Sequence, residues 1–182
     1  MPIKPNFALK LSFDGIALLH RVFPGWHLVG EVSLDSADLA GDLAALRQKA
    51  LALDPSGLRC KLVLPNAQIR YLQIEATADP AQADQVARTA LDGATPYAVD
   101  DLAYDYALGE GRMQIAAAAR ETLAEAEAFA LEHKFNPVST VAIPDADAFD
   151  GEPFFGPTQA YLADHGDARG LERDSTPIRI VG

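Results

Sequence analysis

Side chains able to do chemistry are few in this sequence, and their spacing does not concentrate them. Cys60 is the single cysteine and stands between Arg59 and Lys61. Basic neighbours favour a thiolate, but no histidine lies close by in sequence, so a half-buried structural thiol is expected. His20, His27, His133 and His165 are scattered. Only Glu132 adjoins one of them, and consecutive residues do not share a helix face, so no metal ligand is assigned. Asp100 and Asp101 form a carboxylate pair. If both sit on a strand they point to opposite faces and cannot act on one atom. No glycine-rich run precedes a Lys-Ser or Lys-Thr pair, so there is no P-loop. Tyr104 and Tyr106 are two residues apart on an expected strand, with Tyr97 in the loop before it. Such tyrosines pair an apolar ring with a hydroxyl, a combination favoured at interfaces, although core packing competes for at least one of them. With Asp100 and Asp101 they form the candidate partner-binding set. No catalytic residue is assigned.

The elements that must carry these residues read as an α/β, mixed-sheet domain. Residues 7–34 give three short strands, broken by Asp14-Gly15 and Pro24-Gly25, both good turn formers. Asp35 or Ser36 is expected to cap a helix whose stripe is Leu39, Leu43, Leu46, Ala50 and Leu53. Strands follow over 58–64 and 68–76. Asp79-Pro80 announces a second helix, with a side-chain cap followed by a proline where its missing N–H costs nothing. A hairpin is expected over 102–119 around Gly109-Glu110-Gly111, then a helix over 122–133 and a strand over 138–143. Residues 145–182 hold eight acids with little periodicity and read as an acidic tail or linker, though Phe154-Phe155 could pack back and residues 178–181 could add a strand.

Composition narrows the function. At 182 residues, 49% apolar and 23% charged, the chain has the make-up of an ordinary globular domain. No apolar run approaches the roughly 18 residues of a bilayer span, and the first five residues lack a secretory signal. One cysteine excludes an intramolecular disulfide, so a cytoplasmic setting is expected. A formal net charge of −11 opposes binding to nucleic acid or to an anionic membrane. Between Asp79 and Glu110 there are seven acids against Arg88 alone. That stretch is either a solvated face or a dock for a basic partner.

Residues 69–76 (Ile-Arg-Tyr-Leu-Gln-Ile-Glu-Ala), the stretch 95–106 running from Thr-Pro-Tyr through Asp-Asp to Asp-Tyr, and the strand, helix, Asn-Pro turn and strand of 113–143 together resemble the actin-like cytoplasmic proteins of type IV pilus and type II secretion assembly. The order of elements is similar to one lobe of that actin-like (ribonuclease H-like) fold. On this resemblance 1–144 is the lobe, with 68–108 as an inserted strand–helix–hairpin subdomain. The resemblance implies a scaffold that binds an inner-membrane assembly protein or a cytoplasmic assembly ATPase, with no cofactor. It also places the first hairpin where actin-like ATPases cradle phosphate. Asp14 and Gly15 fit that role, while Phe13, Ile16 and Ala17 supply no hydroxyl donors. A nucleotide-binding protein or weak ATPase, using ATP and magnesium and a second lobe, is therefore the alternative. A homodimer is a third.

Overall fold

A computed structural model describes residues 3–75 and 79–181. Its main sheet begins as an antiparallel meander of β1 (Phe7–Leu11), β2 (Gly15–Arg21) and β3 (Trp26–Ser33). Helix α1 (Leu39–Leu53) then crosses over to β4 (Cys60–Leu64), which lies parallel to β1. The α1 cap is Asp38, whose carboxylate accepts from the Gly41 amide, rather than Asp35 or Ser36. All five β4 residues are buried, as expected of a strand with neighbours on both sides and cover on both faces.

β5 (Arg70–Glu75) leaves the main sheet. Its expected end at Ala76 lies outside the described residues. A 3-10 turn at Pro80–Gln82, capped by Asp79, opens α2 (Ala83–Leu91), and the hairpin of β6 (Leu102–Gly109) and β7 (Arg112–Ala119) follows. These strands form a separate sheet in the order β5-β7-β6. The inserted unit therefore runs to Ala119, not to Leu108. β7 is held on both sides, by β5 and by β6, and has no edge left for the main sheet. Alternation assigns the two faces. Leu102, Tyr104, Met113, Ile115 and Ala117 pack with Ala83, Ala87 and Leu91 of α2, whereas Ala103, Ala116 and Ala118 join the main core.

Helix α3 (Arg120–Glu132) returns the chain to β8 (Pro137–Ala142), parallel to β4. The main core of Phe7, Leu9, Leu18, Leu43, Leu62 and Phe135 is wholly buried between the sheet and α1. Each of these side chains contributes about 1.5–3 kcal/mol by leaving water.

The stretch read as a tail is folded. β9 (Phe154–Pro157) pairs antiparallel with β8 and completes the order β3-β2-β1-β4-β8-β9. α4 (Gln159–His165) follows, capped by the Thr158 hydroxyl. The rest crosses the second face of the sheet, where Ile178 and Phe154 cover Ala8, Leu19, Trp26, Val63 and Val141. It ends against the outer edge of β3, where the Trp26 amide donates to Arg179 and the Val181 amide donates to Trp26. The acids that suggested a tail are partly consumed inside. Glu152 is buried, and Asp174 meets Lys61 and Arg21.

Candidate functional site

The turn expected to hold phosphate spends its polar groups on itself. The Ser12 hydroxyl donates to the Gly15 carbonyl at 2.9 Å and accepts from the Gly15 amide at 3.1 Å, while the Ser12 amide also reaches that carbonyl. The Asp14 carbonyl takes the Leu34 amide. Gly15 is needed for another reason. A Cβ there would stand 2.6 Å from the Val32 carbonyl oxygen, so β3 could not approach as it does. Asp14 itself is exposed.

Beside this turn the chain forms a groove between its two sheets. One half, about 330 Å³, has Leu11, Phe13, Ile16, Leu34 and Phe129 along its walls. The other, about 390 Å³, lies between Ile69 of the link into β5, Ala118 of β7 and the loop carrying Tyr97. Gln68 and Thr122 line both halves, so the two adjoin. The groove exists because α3 starts where β7 ends and the 3-10 turn at Asn66–Gln68 leads into β5, so both connections between the sheets lie in its floor. Its rim carries large apolar side chains in solvent: Phe13 is 67% exposed, Leu34 38% and Tyr97 38%. The carboxylate of Glu121 accepts from the Tyr97 hydroxyl at 2.6 Å, and Glu125 lines the lower half.

The other sequence-chosen residues separate from Tyr97. Tyr104 and Tyr106 do share a strand face, but that face packs on α2, and the Tyr104 hydroxyl donates to Asp84 at 2.6 Å. Burial leads the causes that raise the Tyr104 phenol above its ordinary pKa. Asp100 and Asp101 are not strand residues. They end a 3-10 turn at Val99–Asp101, where Asp100 pairs with Arg88 and Asp101 is exposed. The intervening Asp105 binds the Phe154 amide and the Arg173 guanidinium, tying β6 to β9 and the segment beyond it. Sequence reasoning missed Phe13, Leu34, Gln68, Thr122 and Phe129. The available signal was the pair of bulky apolar residues flanking Asp14-Gly15, which no phosphate turn requires.

The remaining titratable groups have structural places. Cys60 is fully buried, which pushes its thiol well up. His20 stacks on Phe7 with ring centroids 4.7 Å apart, and His27 is exposed. Glu132 does reach its neighbour His133, at 3.5 Å. Among the described residues, no three His, Cys, Asp or Glu side chains gather as a metal site would require. No helix among them is long and apolar enough to cross a membrane.

Lys61 holds a charge cluster that burial makes costly. Its ammonium is 2.7 Å from Glu152 Oε1 and 2.7 Å from Asp174 Oδ2, and Arg21 grips Asp174 through both terminal nitrogens at 2.8 and 2.9 Å. The Trp26 ring lies under both cations, 4.4 Å from the Arg21 guanidinium and 4.8 Å from the Lys61 ammonium. Burial raises the Glu152 carboxyl to about 7 in spite of Lys61. Burial also pushes Asp174 up, but hydrogen bonds from Arg21 and Lys61 outweigh it and bring that carboxyl down to about 2.

A mixed sheet of this order, with a second small sheet inserted after β4, is the actin-like architecture of secretion and pilus assembly proteins. Among the solved structures that share this fold are two from such assemblies. One is the cytoplasmic domain of EpsL, an inner membrane component of the type II secretion system of Vibrio cholerae, with a TM-score of 0.55 and 12% identity over 76% of this chain and 59% of that one. The other is the PilM-PilN type IV pilus biogenesis complex, with a TM-score of 0.53 and 16% identity over 77% of this chain and 46% of its counterpart. At such identities the likeness shows the fold. The chain spans about half the length of these solved chains. No family model and no curated protein matches the sequence.

Proposed function

We propose that this chain is a non-catalytic scaffold that captures an extended segment of an assembly protein in the groove between its two sheets. The carrying observation is the pair of adjoining hollows that share Gln68 and Thr122, with Phe13, Leu34 and Tyr97 exposed around them. Exposed apolar side chains around a concave strip mark interaction sites. Its neighbours by fold, a secretion component of the inner membrane and a pilus biogenesis complex, support an assembly protein as the partner, and the two classes that the sequence resemblance implies are an inner-membrane assembly protein and a cytoplasmic assembly ATPase. Glu121 and Glu125 at the rim favour the former, because cytoplasmic flanks of membrane spans carry an excess of Lys and Arg.

Calorimetric titration with synthetic peptides from the cytoplasmic tails of inner-membrane assembly proteins tests this. Binding that Phe13→Asp and Leu34→Asp remove, with unchanged melting temperature, supports the groove. Binding that both variants leave intact would place the dock elsewhere. The nucleotide alternative requires the Asp14-Gly15 turn, whose Gly15 amide already serves Ser12. A ligand that binds only the folded state raises its melting temperature by mass action, so melting with and without millimolar ATP and magnesium separates the two readings.

A further inference from the structure

A second groove, of about 1200 Å³, opens on the far side of the main sheet. One wall is the turn joining β2 to β3, and the other is residues 172–179 of the segment that crosses the sheet. This volume exceeds the roughly 300–1,000 Å³ of pockets that enclose small molecules, and suits a stretch of polypeptide. Its charge is opposite to that of the whole chain. Lys4, Arg21, Arg173 and Arg179 line it against only Glu172 and Asp174, an excess of two positive charges on a protein whose formal net charge is −11.

Two of these cations are committed: Arg21 to Asp174, and Arg173 to Asp105. The other two are exposed: Lys4, 47% exposed, makes a long ion pair with Asp174 at 3.8 Å, and Arg179 has no ion pair among the described residues. The buried Lys61 beneath is in contact with the same Asp174 and is balanced by Glu152. On the rim stands Phe23, 97% exposed, next to Pro24. A solvated phenyl ring beside exposed cations offers one apolar and one ionic anchor, the pairing from which hot spots are built.

We infer that this groove docks an acidic, extended segment of a protein partner, its carboxylates meeting Lys4 and Arg179 and an apolar side chain covering Phe23. Charge complementarity selects that occupant. A flat anionic bilayer would face Glu172 and the acidity of the whole chain, whereas a narrow segment meets only the local excess of positive charge. This inference does not depend on the groove between the sheets, since the two grooves share no lining residue.

Trp26, the only tryptophan, lines the groove and reports on it directly. The experiment titrates the protein with a short synthetic peptide of glutamates around a central leucine and follows Trp26 emission. Parallel arms use the glutamine analogue, phosphatidylglycerol vesicles and the protein alone in sedimentation. The expected result is saturable binding of the glutamate peptide that weakens with salt and weakens at least about tenfold in Lys4→Glu/Arg179→Glu. Both substituted residues are exposed, and an unchanged melting temperature confirms that the variant folds. The inference is overturned by no emission change up to about 1 mM peptide, by equal binding of the glutamine analogue, or by binding that the double variant retains. It is equally overturned if only vesicles bind, or if the protein self-associates through these two residues.

Discussion

The ammonium of Lys61 lies 2.7 Å from the Glu152 carboxylate, although 91 residues separate them in sequence. Both are almost wholly buried, at 2% and 1% side-chain exposure. They join β4, at the middle of the main sheet, to the loop that leads into β9. The partners are not equal. Lys61 also serves Asp174, whereas the Glu152 carboxyl is already pushed towards its neutral form.

Lys61→Met should therefore be costly and Glu152→Gln mild. Removing the lysine leaves two carboxylates in the interior with Arg21 alone, and breaking a buried pair in this way costs about 3–5 kcal/mol. Glutamine keeps the shape and leaves Lys61 paired with Asp174, for a loss of about 1 kcal/mol. Urea denaturation of the two variants checks the order, and equal losses would refute it.

The same cluster sets a pH dependence. The Glu152 carboxyl rises from 4.5 to about 7 on folding, so the native state holds the extra proton between those values. Stability from this group grows as pH falls from 7 towards 4.5. Asp174 and Asp54 both fall from 3.8 to about 2, and the stability that they provide above 3.8 is lost as pH drops towards 2. For Asp54, hydrogen bonds from the Ser56 and Asn6 side chains lead the causes. The expected curve peaks on the acid side of neutrality, and Glu152→Gln removes the slope between 4.5 and 7. Chemical denaturation across pH for both proteins measures the difference.

Gly15 separates a structural turn from a phosphate turn. Gly15→Ala should cost about 1–3 kcal/mol, because the new methyl meets the Val32 carbonyl oxygen and forces β3 away. Asp14→Ala, at an exposed side chain, should stay within about 0.5 kcal/mol. Thermal melting of the pair is decisive. A large loss at Asp14 would show a role that the geometry does not display.

Phe13→Ser should leave stability within about 0.5 kcal/mol while weakening peptide capture, since the ring is mostly in water. Leu62→Ala, in the wholly buried core, should cost about 2–5 kcal/mol. Comparing capture by both variants at a temperature where each is folded separates loss of a contact from loss of the fold.

The strands and helices as far as β8 were legible because local pattern determines them, whereas β9 and α4 were not. The Leu39–Leu53 stripe, the Asp79-Pro80 start and the glycines around Glu110 each carry their own physical reason. β7 went to the small sheet because hydrogen bonding to β5 and β6 decided it, and its Met-Gln-Ile-Ala run reads alike in either sheet. Glu152 and Asp174 looked like tail acids because their partners, Lys61 and Arg21, lie 91 and 153 residues away. Of the candidate partner-binding residues only Tyr97 lines the groove. Tyr104 and Tyr106 were drawn onto α2 by the alternation that had singled them out.

The path of residues 145–181, from β9 at one edge of the sheet to Trp26 of β3 at the other, also has a mechanical meaning. Tension applied at Val181 first meets the two backbone hydrogen bonds to Trp26, 2.8 and 2.9 Å long, which break in succession as in peeling. The next restraints along the chain are Asp174 with Lys61 and Arg21, Arg173 with Asp105, and the backbone bonds of Ile3 to Gly170 and Glu172, and the β8–β9 ladder comes after these. A load on this end thus meets several separate attachments before it reaches the parallel β1-β4-β8 centre.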